Sequence, residues 1–245
     1  MNVIVTGCNG LLGKEISNHL IKKLGYNVFG IDVQVNPDIK HAKFHYNNLD
    51  VSNYSEIIKL HNRLKSKKIF VQGLINSHQY KPKGFLDADL FNIDLKMWDD
   101  IINVNLTGTY LMCRVFGADM KKNKIGSIIN FASTYAVVSS NPDLYSSNSM
   151  GNPIAYTASK GGVISLTKYL ACYLGKYNVR CNCLTPHGVE NNHESDFIKK
   201  FNEKSPLNRM MKPIEILGPM ELLLTNQGSY INGTNILVEG GWTAW

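Results

Sequence analysis

The sequence has no apolar run approaching the roughly 20 residues that a membrane-spanning helix requires, so no membrane association is expected. Its opening, "MNVIVTG", lacks the basic start and long apolar stretch of a secretory leader, and the expected location is cytoplasmic. The five cysteines, Cys8, Cys113, Cys172, Cys181 and Cys183, are odd in number and form no CxxC, which argues against a disulfide framework or a zinc site. Reduced structural thiols are expected. Cys181 and Cys183 are two apart, so on a strand they share a face where a bridge would strain the backbone. The seven histidines show no HExxH or other ligand spacing, and no metal is expected. Internal repeats, low-complexity tails and proline-rich linkers are absent as well, so one domain over 1–245 is the simplest organisation.

Charge is also sparse, at 18% of residues against 44% hydrophobic, a balance typical of globular chains. The formal net charge of +7 invites a nucleic-acid reading. The lysines, however, fall in short clusters, such as Lys65, Lys67, Lys68 and Lys121, Lys122, Lys124, which read as solvated helix ends. No nucleic-acid partner is expected. The remaining use for the excess charge is attraction of an anionic cofactor or a phosphorylated substrate.

What the chain does have is an alternation of short β-branched runs with longer periodic segments, the pattern of βα units around a parallel sheet. "NVIVTG", "NVFGIDV", "AKFHYNNLDV", "VQGLINS", "GSIINFAS", "NVRCNCLTP" and "NILVEGG" read as seven strands. Helices are predicted over 10–25, 54–67, 95–124, 155–177 and 213–226. The polar run 134–153 reads as a long loop, and loops of that length inside compact domains tend to be functional. Residues 187–213 form a variable stretch expected to face the substrate. The fold class is α/β, a Rossmann-type doubly wound parallel sheet with helices on both faces.

"TGCNGLLG" follows the first strand and opens a helix, the context that makes a glycine pattern a dinucleotide signal. Gly7 suits the tight turn, Gly10 lets backbone N–H groups approach a pyrophosphate, and Gly13 allows close helix packing. The alternative is a tight turn that holds nothing. Asp32 ends the second strand nineteen positions beyond Gly13, where a carboxylate accepts hydrogen bonds from the adenosine ribose and repels a 2′-phosphate. No arginine adjoins it, so NAD is expected over NADP. Tyr156 and Lys160 in "AYTASK" are i, i+4 neighbours on one helix face, a spacing that also arises by chance.

Together these residues resemble the short-chain dehydrogenase/reductase family over almost the whole chain. Asp50 and Val51 in "LDVSN" match its adenine-contacting pair, Asn105 its helix asparagine, Ser133 its serine after the fifth strand, and Tyr156 with Lys160 its YxxxK. "SPLNRM" and "INGTNILVEGG" resemble its C-terminal signature. The resemblance implies catalysis by Asn105, Ser133, Tyr156 and Lys160, and cofactor contacts from Gly7, Asn9, Gly10, Leu11, Leu12, Asp32, Asp50, Val51, Asn76, Tyr156, Lys160, Pro186 and Val189. It implies that Lys160 also bonds the nicotinamide ribose, Ser133 holds the substrate oxygen and Asn105 positions a proton-relaying water. Each also has a plainer reading: Ser133 as a turn cap, Asn105 as a backbone partner, Lys160 as a solvated face residue.

Departures from the family pattern sharpen the question of substrate. The glycine turn has the TGxxGxxG spacing of the family's longer sugar-nucleotide branch, "NSHQ" stands where NNAG is usual, and "PHG" replaces Pro-Gly. His187 is then either a loop residue with a backbone role or a substrate contact. The 23-residue interval from Ser133 to Tyr156 is longer than the family's, through an insertion spanning 135–153. This segment is similar to the flagellin modification protein A-like subgroup associated with nonulosonic acid sugars, which implies an amino-sugar or sugar-phosphate substrate. The leading expectation is an NAD(H)-dependent oxidoreductase of a sugar-like alcohol or ketone. The alternatives are an epimerase or dehydratase that retains its NAD, and a non-catalytic dinucleotide-binding protein. The resemblance further implies a homodimer or homotetramer paired through its fourth and fifth helices, with Ile164, Leu166, Leu170 and Leu174 either serving that interface or packing in the core.

Overall fold

The strands are short and β-branched, and their side chains alternate between two cores. The computed structural model describes residues 1–35, 37–85, 90–140, 144 and 154–245. Strands β1 (Asn2–Thr6), β2 (Asn27–Asp32), β3 (Phe44–Asn48), β4 (Gly73–Asn76), β5 (Gly126–Phe131), β6 (Val179–Pro186) and β7 (Asn235–Val238) form one parallel sheet in the order β3-β2-β1-β4-β5-β6-β7. Val3 and Val5 of β1 point into one core with Ile75 and Ile129, while Ile4 points into the other with Leu74 and Ile128. Both faces are buried, as a parallel sheet requires.

The first core is closed by helices α1 (Leu11–Lys22) and α7 (Leu217–Leu224), the second by α2 (Tyr54–Ser66), α4 (Thr109–Asn123) and α5 (Ile154–Gly175). Each fully buried Leu or Ile contributes about 1.5–3 kcal/mol, so the apolar stripes of these helices decide which face they cover. The lysine clusters lie at the C-terminal ends of α2 and α4, where positive charge complements the helix dipole. Strand order reverses between β1 and β4, which opens a crevice at their carboxyl ends.

Two features differ from the sequence expectation. The helix predicted over 95–124 is α3 (Leu95–Ile102) and α4 joined by a π-helical segment, Asn103–Gly108. The extra residue per turn is held by side chains: the Thr109 hydroxyl donates to the Asn105 carbonyl at 2.7 Å, and His78 bonds the Val104 carbonyl. The variable stretch contains a further helix, α6 (Ser195–Lys204), whose polar exterior hides its one buried anchor, Phe201. Leu174 is a core residue, while Leu170 and Ile164 are partly buried and pack against core clusters. Most of the expected insertion lies outside the described residues; of it, 135–140 and Leu144 are described.

All five cysteines are reduced, and only Cys172 is exposed. Three of the buried thiols lie along a polar seam in the core. Asn76 Nδ2 donates to Asn130 Oδ1 at 2.8 Å, and Asn130 Nδ2 donates to the Thr167 hydroxyl at 2.9 Å. The thiol of Cys183 donates to the same hydroxyl at 3.1 Å. Buried polar groups of this kind are costly once unpaired. Replacing Asn130 by Ala is expected to lower unfolding stability by about 2–4 kcal/mol, measured by urea denaturation; a loss under half a kcal/mol would show that the seam is not cooperative.

Candidate active site

A cleft of about 940 Å³ runs across the carboxyl ends of the strands. Its first half is built from the loops after β1, β2 and β3. Gly7 adopts φ +67°, and a Cβ there would lie 2.7 Å from the Cα of His78, so only glycine lets the first turn close on β4. A Cβ on Gly13 would sit 2.0 Å from the Gly7 carbonyl oxygen. Helix α1 starts after Gly10 with no side-chain cap, which leaves its first N–H groups available to an anion. Gly7, Gly10, Leu11 and Leu12 line the cleft, as do Asp32, Asp50 and Val51.

Asp32 is held by the turn it serves. The Asn9 N–H donates to Oδ2 at 3.0 Å and the Gln34 N–H to Oδ1 at 3.2 Å. Asp50 is likewise oriented, accepting from the Ser52 N–H and hydroxyl, both at 2.8 Å. The Asn9 side chain does not line the cleft, and its Nδ2 is buried without a partner.

The second half lies beyond β5 and β6, where Ser133, Tyr156, Lys160, Pro186, His187 and Val189 converge. Lys160 is 3% exposed. Its Nζ donates to the Phe131 carbonyl at 2.8 Å and lies 5.8 Å from the centroid of the Tyr156 ring. Burial pushes the Lys160 pKa down to about 8, and the nearby Lys81 charge pushes the same way. The ammonium is therefore still charged at neutral pH. Phe85 meets the Tyr156 ring edge-on at 6.0 Å and fixes its plane. The Ser133 hydroxyl accepts the Tyr135 N–H at 3.3 Å, so the serine caps a turn while its side chain lines the cleft.

Besides Asn9, two expected residues lie off the cleft wall. Asn76 is spent on Asn130 and Cys113 inside the sheet. Asn105, wholly buried, uses its side chain structurally: Oδ1 accepts the Tyr80 N–H at 2.9 Å and Nδ2 donates to the Ser159 hydroxyl at 3.2 Å. That hydroxyl donates to the Tyr156 carbonyl at 2.8 Å. Asn105 thus ties the loop after β4 to the turn of α5 that carries the tyrosine.

His78 is a site residue that the sequence flagged only as a departure. Nε2 is 3.1 Å from the Val104 carbonyl, which can only accept, so Nε2 carries the hydrogen and Nδ1 accepts from the Thr6 hydroxyl at 2.6 Å. The ring bolts the end of β1 to the π-helical segment holding Asn105. His187 has a backbone role, its N–H donating to the Val238 carbonyl at 3.1 Å, and its ring lines the cleft against Tyr135, Phe201 and Trp242. Gly188 at φ +53° leaves the space that the Phe201 ring fills. Among the described residues no His, Cys, Asp or Glu group is arranged to hold a metal, and no helix is long and apolar enough to cross a membrane.

A family model described as enoyl-(acyl carrier protein) reductase matches residues 21–243. D-threitol dehydrogenase of Mycolicibacterium smegmatis is 31% identical over 159 residues, 62% of this chain and 56% of that protein. The chain spans 53% and 60% of the length of two further relatives matched at 33% identity. Post-translational flagellin modification protein A of Campylobacter coli is 22% identical, with 98% of this chain and 97% of that protein covered. A crystal structure of a short-chain dehydrogenase from Leptospira borgpetersenii serovar Hardjo-bovis with bound NAD+ shares the fold with a TM-score of 0.92 at 28% identity, covering 99% of this chain and 92% of that one.

Burial lowers the pKa of His78 from 6.5 to about 3 and that of His187 to about 4. Both are neutral in the folded chain and must take up protons on unfolding in acid. Their stabilisation is complete above about pH 6.5 and is lost as pH falls through the range down to these values. Between pH 7 and 5 the unfolding free energy is expected to drop by about 2 kcal/mol per histidine. Urea titrations across that range check this, and a slope unchanged in His78→Gln would contradict it.

Proposed function

Because the chain belongs to the short-chain dehydrogenase/reductase family, we propose that it is an NAD(H)-dependent oxidoreductase moving hydride between nicotinamide and a sugar-like alcohol or ketone. The observation that carries this reading is the buried Lys160 ammonium beside the Tyr156 ring in the cleft that also holds Asp32. The residues fit a dinucleotide: a glycine cradle with no room for side chains, an uncapped helix start, and a carboxylate at the end of β2. Bound there, the cofactor supplies a nicotinamide carbon that accepts or donates hydride.

The protein's own part is proton management. A phenol is a weak base near neutrality, and a neighbouring cation favours its phenolate. Lys160 supplies that charge without mobility, since the Phe131 carbonyl and the surrounding core hold it in place. In alcohol oxidation Tyr156 takes the hydroxyl proton as hydride leaves the carbon; in ketone reduction it returns one. Ser133, on the same wall, donates its hydroxyl hydrogen to the substrate oxygen while accepting from the Tyr135 N–H. Asn105 acts through position, tying the loop after β4 to Ser159, whose hydroxyl bonds the Tyr156 carbonyl.

Asp32 favours NAD because its charge repels a 2′-phosphate and neither Val33 nor Gln34, which follow it, supplies a compensating cation. The relatives named for threitol dehydrogenation and flagellin modification support a polar substrate, and the nearly full-length match to the latter supports a role in nonulosonic acid or flagellin-glycan sugar synthesis. Self-association as a dimer or tetramer rests on the aromatic surface of α4 and α5, where Tyr110, Tyr169 and Tyr173 are 41%, 67% and 48% exposed.

Tyr156→Phe is expected to reduce kcat by about 10²–10⁴-fold in an NADH-absorbance assay over a sugar panel; wild-type turnover in that variant would refute the assignment. In calorimetric titration NADH is expected to bind at least about tenfold more tightly than NADPH, a preference that Asp32→Ser should erase.

A further inference from the structure

The substrate half of the cleft is asymmetric in charge. Lys81, on the loop after β4, and His193, on the loop after β6, both line it, together with the buried Lys160. The carboxylates lining the whole cleft, among the described residues, are Asp32, Asp50 and Asp100. The first two belong to the dinucleotide half, and Asp100 is ion-paired with Lys96 at 2.5 Å. Lys81 has no ion-pair or hydrogen-bond partner among the described residues. His193 has its Nδ1 taken by the Asn191 N–H at 3.3 Å and its ring stacked on Phe197 at 5.2 Å, which leaves Nε2 to face a ligand. The rest of this half mixes polar residues, Ser133, His187 and Asn191, with an aromatic and apolar wall that includes Tyr135, Phe201 and Met210.

We propose that Lys81 and His193 form an anion subsite, so that the substrate is a polyhydroxylated compound carrying a carboxylate or a phosphate, and a cationic amino sugar is rejected. The proposal rests on the sugar-oxidoreductase reading and narrows it. An uncompensated lysine in a partly desolvated cleft repels further cations and gains most from an anionic partner. The charge effects agree with this placement. Neighbouring atoms crowd the Lys81 ammonium and lower its pKa, and its charge helps to depress those of both Lys160 and His193. A bound anion between them would relieve that repulsion. The apolar wall would take the carbon-bound hydrogens of the same molecule.

The test is calorimetric titration of the NAD-loaded protein with D-gluconate, D-glucuronate and D-glucose 6-phosphate against D-glucose and D-glucosamine. At least one anion is expected to bind about tenfold or more tightly than glucose, with glucosamine weakest. Comparing the carboxylates with the phosphate ester identifies the preferred head group. Lys81→Gln should abolish the preference without weakening glucose, and Lys81→Arg should restore it. No anion exceeding glucose, or an unchanged preference in Lys81→Gln, overturns the subsite. These outcomes separate from those of the parent reading. Anion binding without NADH formation from any sugar would overturn the oxidoreductase assignment alone, whereas turnover of neutral sugars without an anion preference would overturn the subsite alone.

Discussion

The turn after β1 presses directly on the end of β4, and both halves of the cleft depend on that contact. A side chain on Gly7 would overlap the His78 backbone, so the first turn packs against β4 only because glycine stands there. From that point His78 reaches to Thr6 on one side and to Val104 on the other. The glycine cradle and the π-helical segment are therefore parts of one assembly. Asn105, one residue beyond Val104, extends the chain of bonds through Ser159 to the Tyr156 carbonyl. The loop that would hold a pyrophosphate and the helix turn that presents the tyrosine share a single buried polar frame.

Burial is what turns an ordinary lysine into part of that frame. An i, i+4 Tyr–Lys pair on a solvated helix face is worth a few tenths of a kcal/mol and has no chemical consequence. Here α5 packs its Lys160 face against β5, where Nζ donates to the Phe131 carbonyl. Desolvation lowers the lysine's pKa to about 8, which keeps the charge at neutral pH but makes it sensitive to every other charge in the cleft. Lys81 is one of these. The charge arrangement at the cleft mouth and the chemistry at its floor are thus coupled electrostatically.

The chain announced its cofactor half clearly. Glycine spacing after a β-branched strand, and an acid at the end of the next, are local signals whose physical reasons need only a few residues. The seven strands and their parallel order follow from the same alternation. The π-helical segment was not legible, because Asn103–Gly108 continues the helical periodicity and the long-range bond from His78, with the adjacent Thr109 hydroxyl, supports the wider turn. Helix α6 was hidden by its polarity, since Phe201 is its one buried residue, packed in a small cluster with Leu144, Met210 and Trp242 that only the partly buried Phe197 and Ile198 of the helix join. Leu170 and Leu174 were ambiguous between core and interface for a similar reason: helical spacing places residues on a face but does not say what covers it.

By itself, then, the sequence determined the α/β class, the dinucleotide turn, Asp32 and the Tyr156–Lys160 pair, because each depends on spacing within one element or across one βα unit. Tertiary structure alone decided that Asn76 and Asn105 serve the frame and not the cleft wall, that His78 joins the two halves, and that Lys81 and His193 line one cleft. Hydrogen-bond partners 25 to 72 positions apart in the chain are brought together by the order of strands in the sheet, and no local pattern encodes which of them will meet.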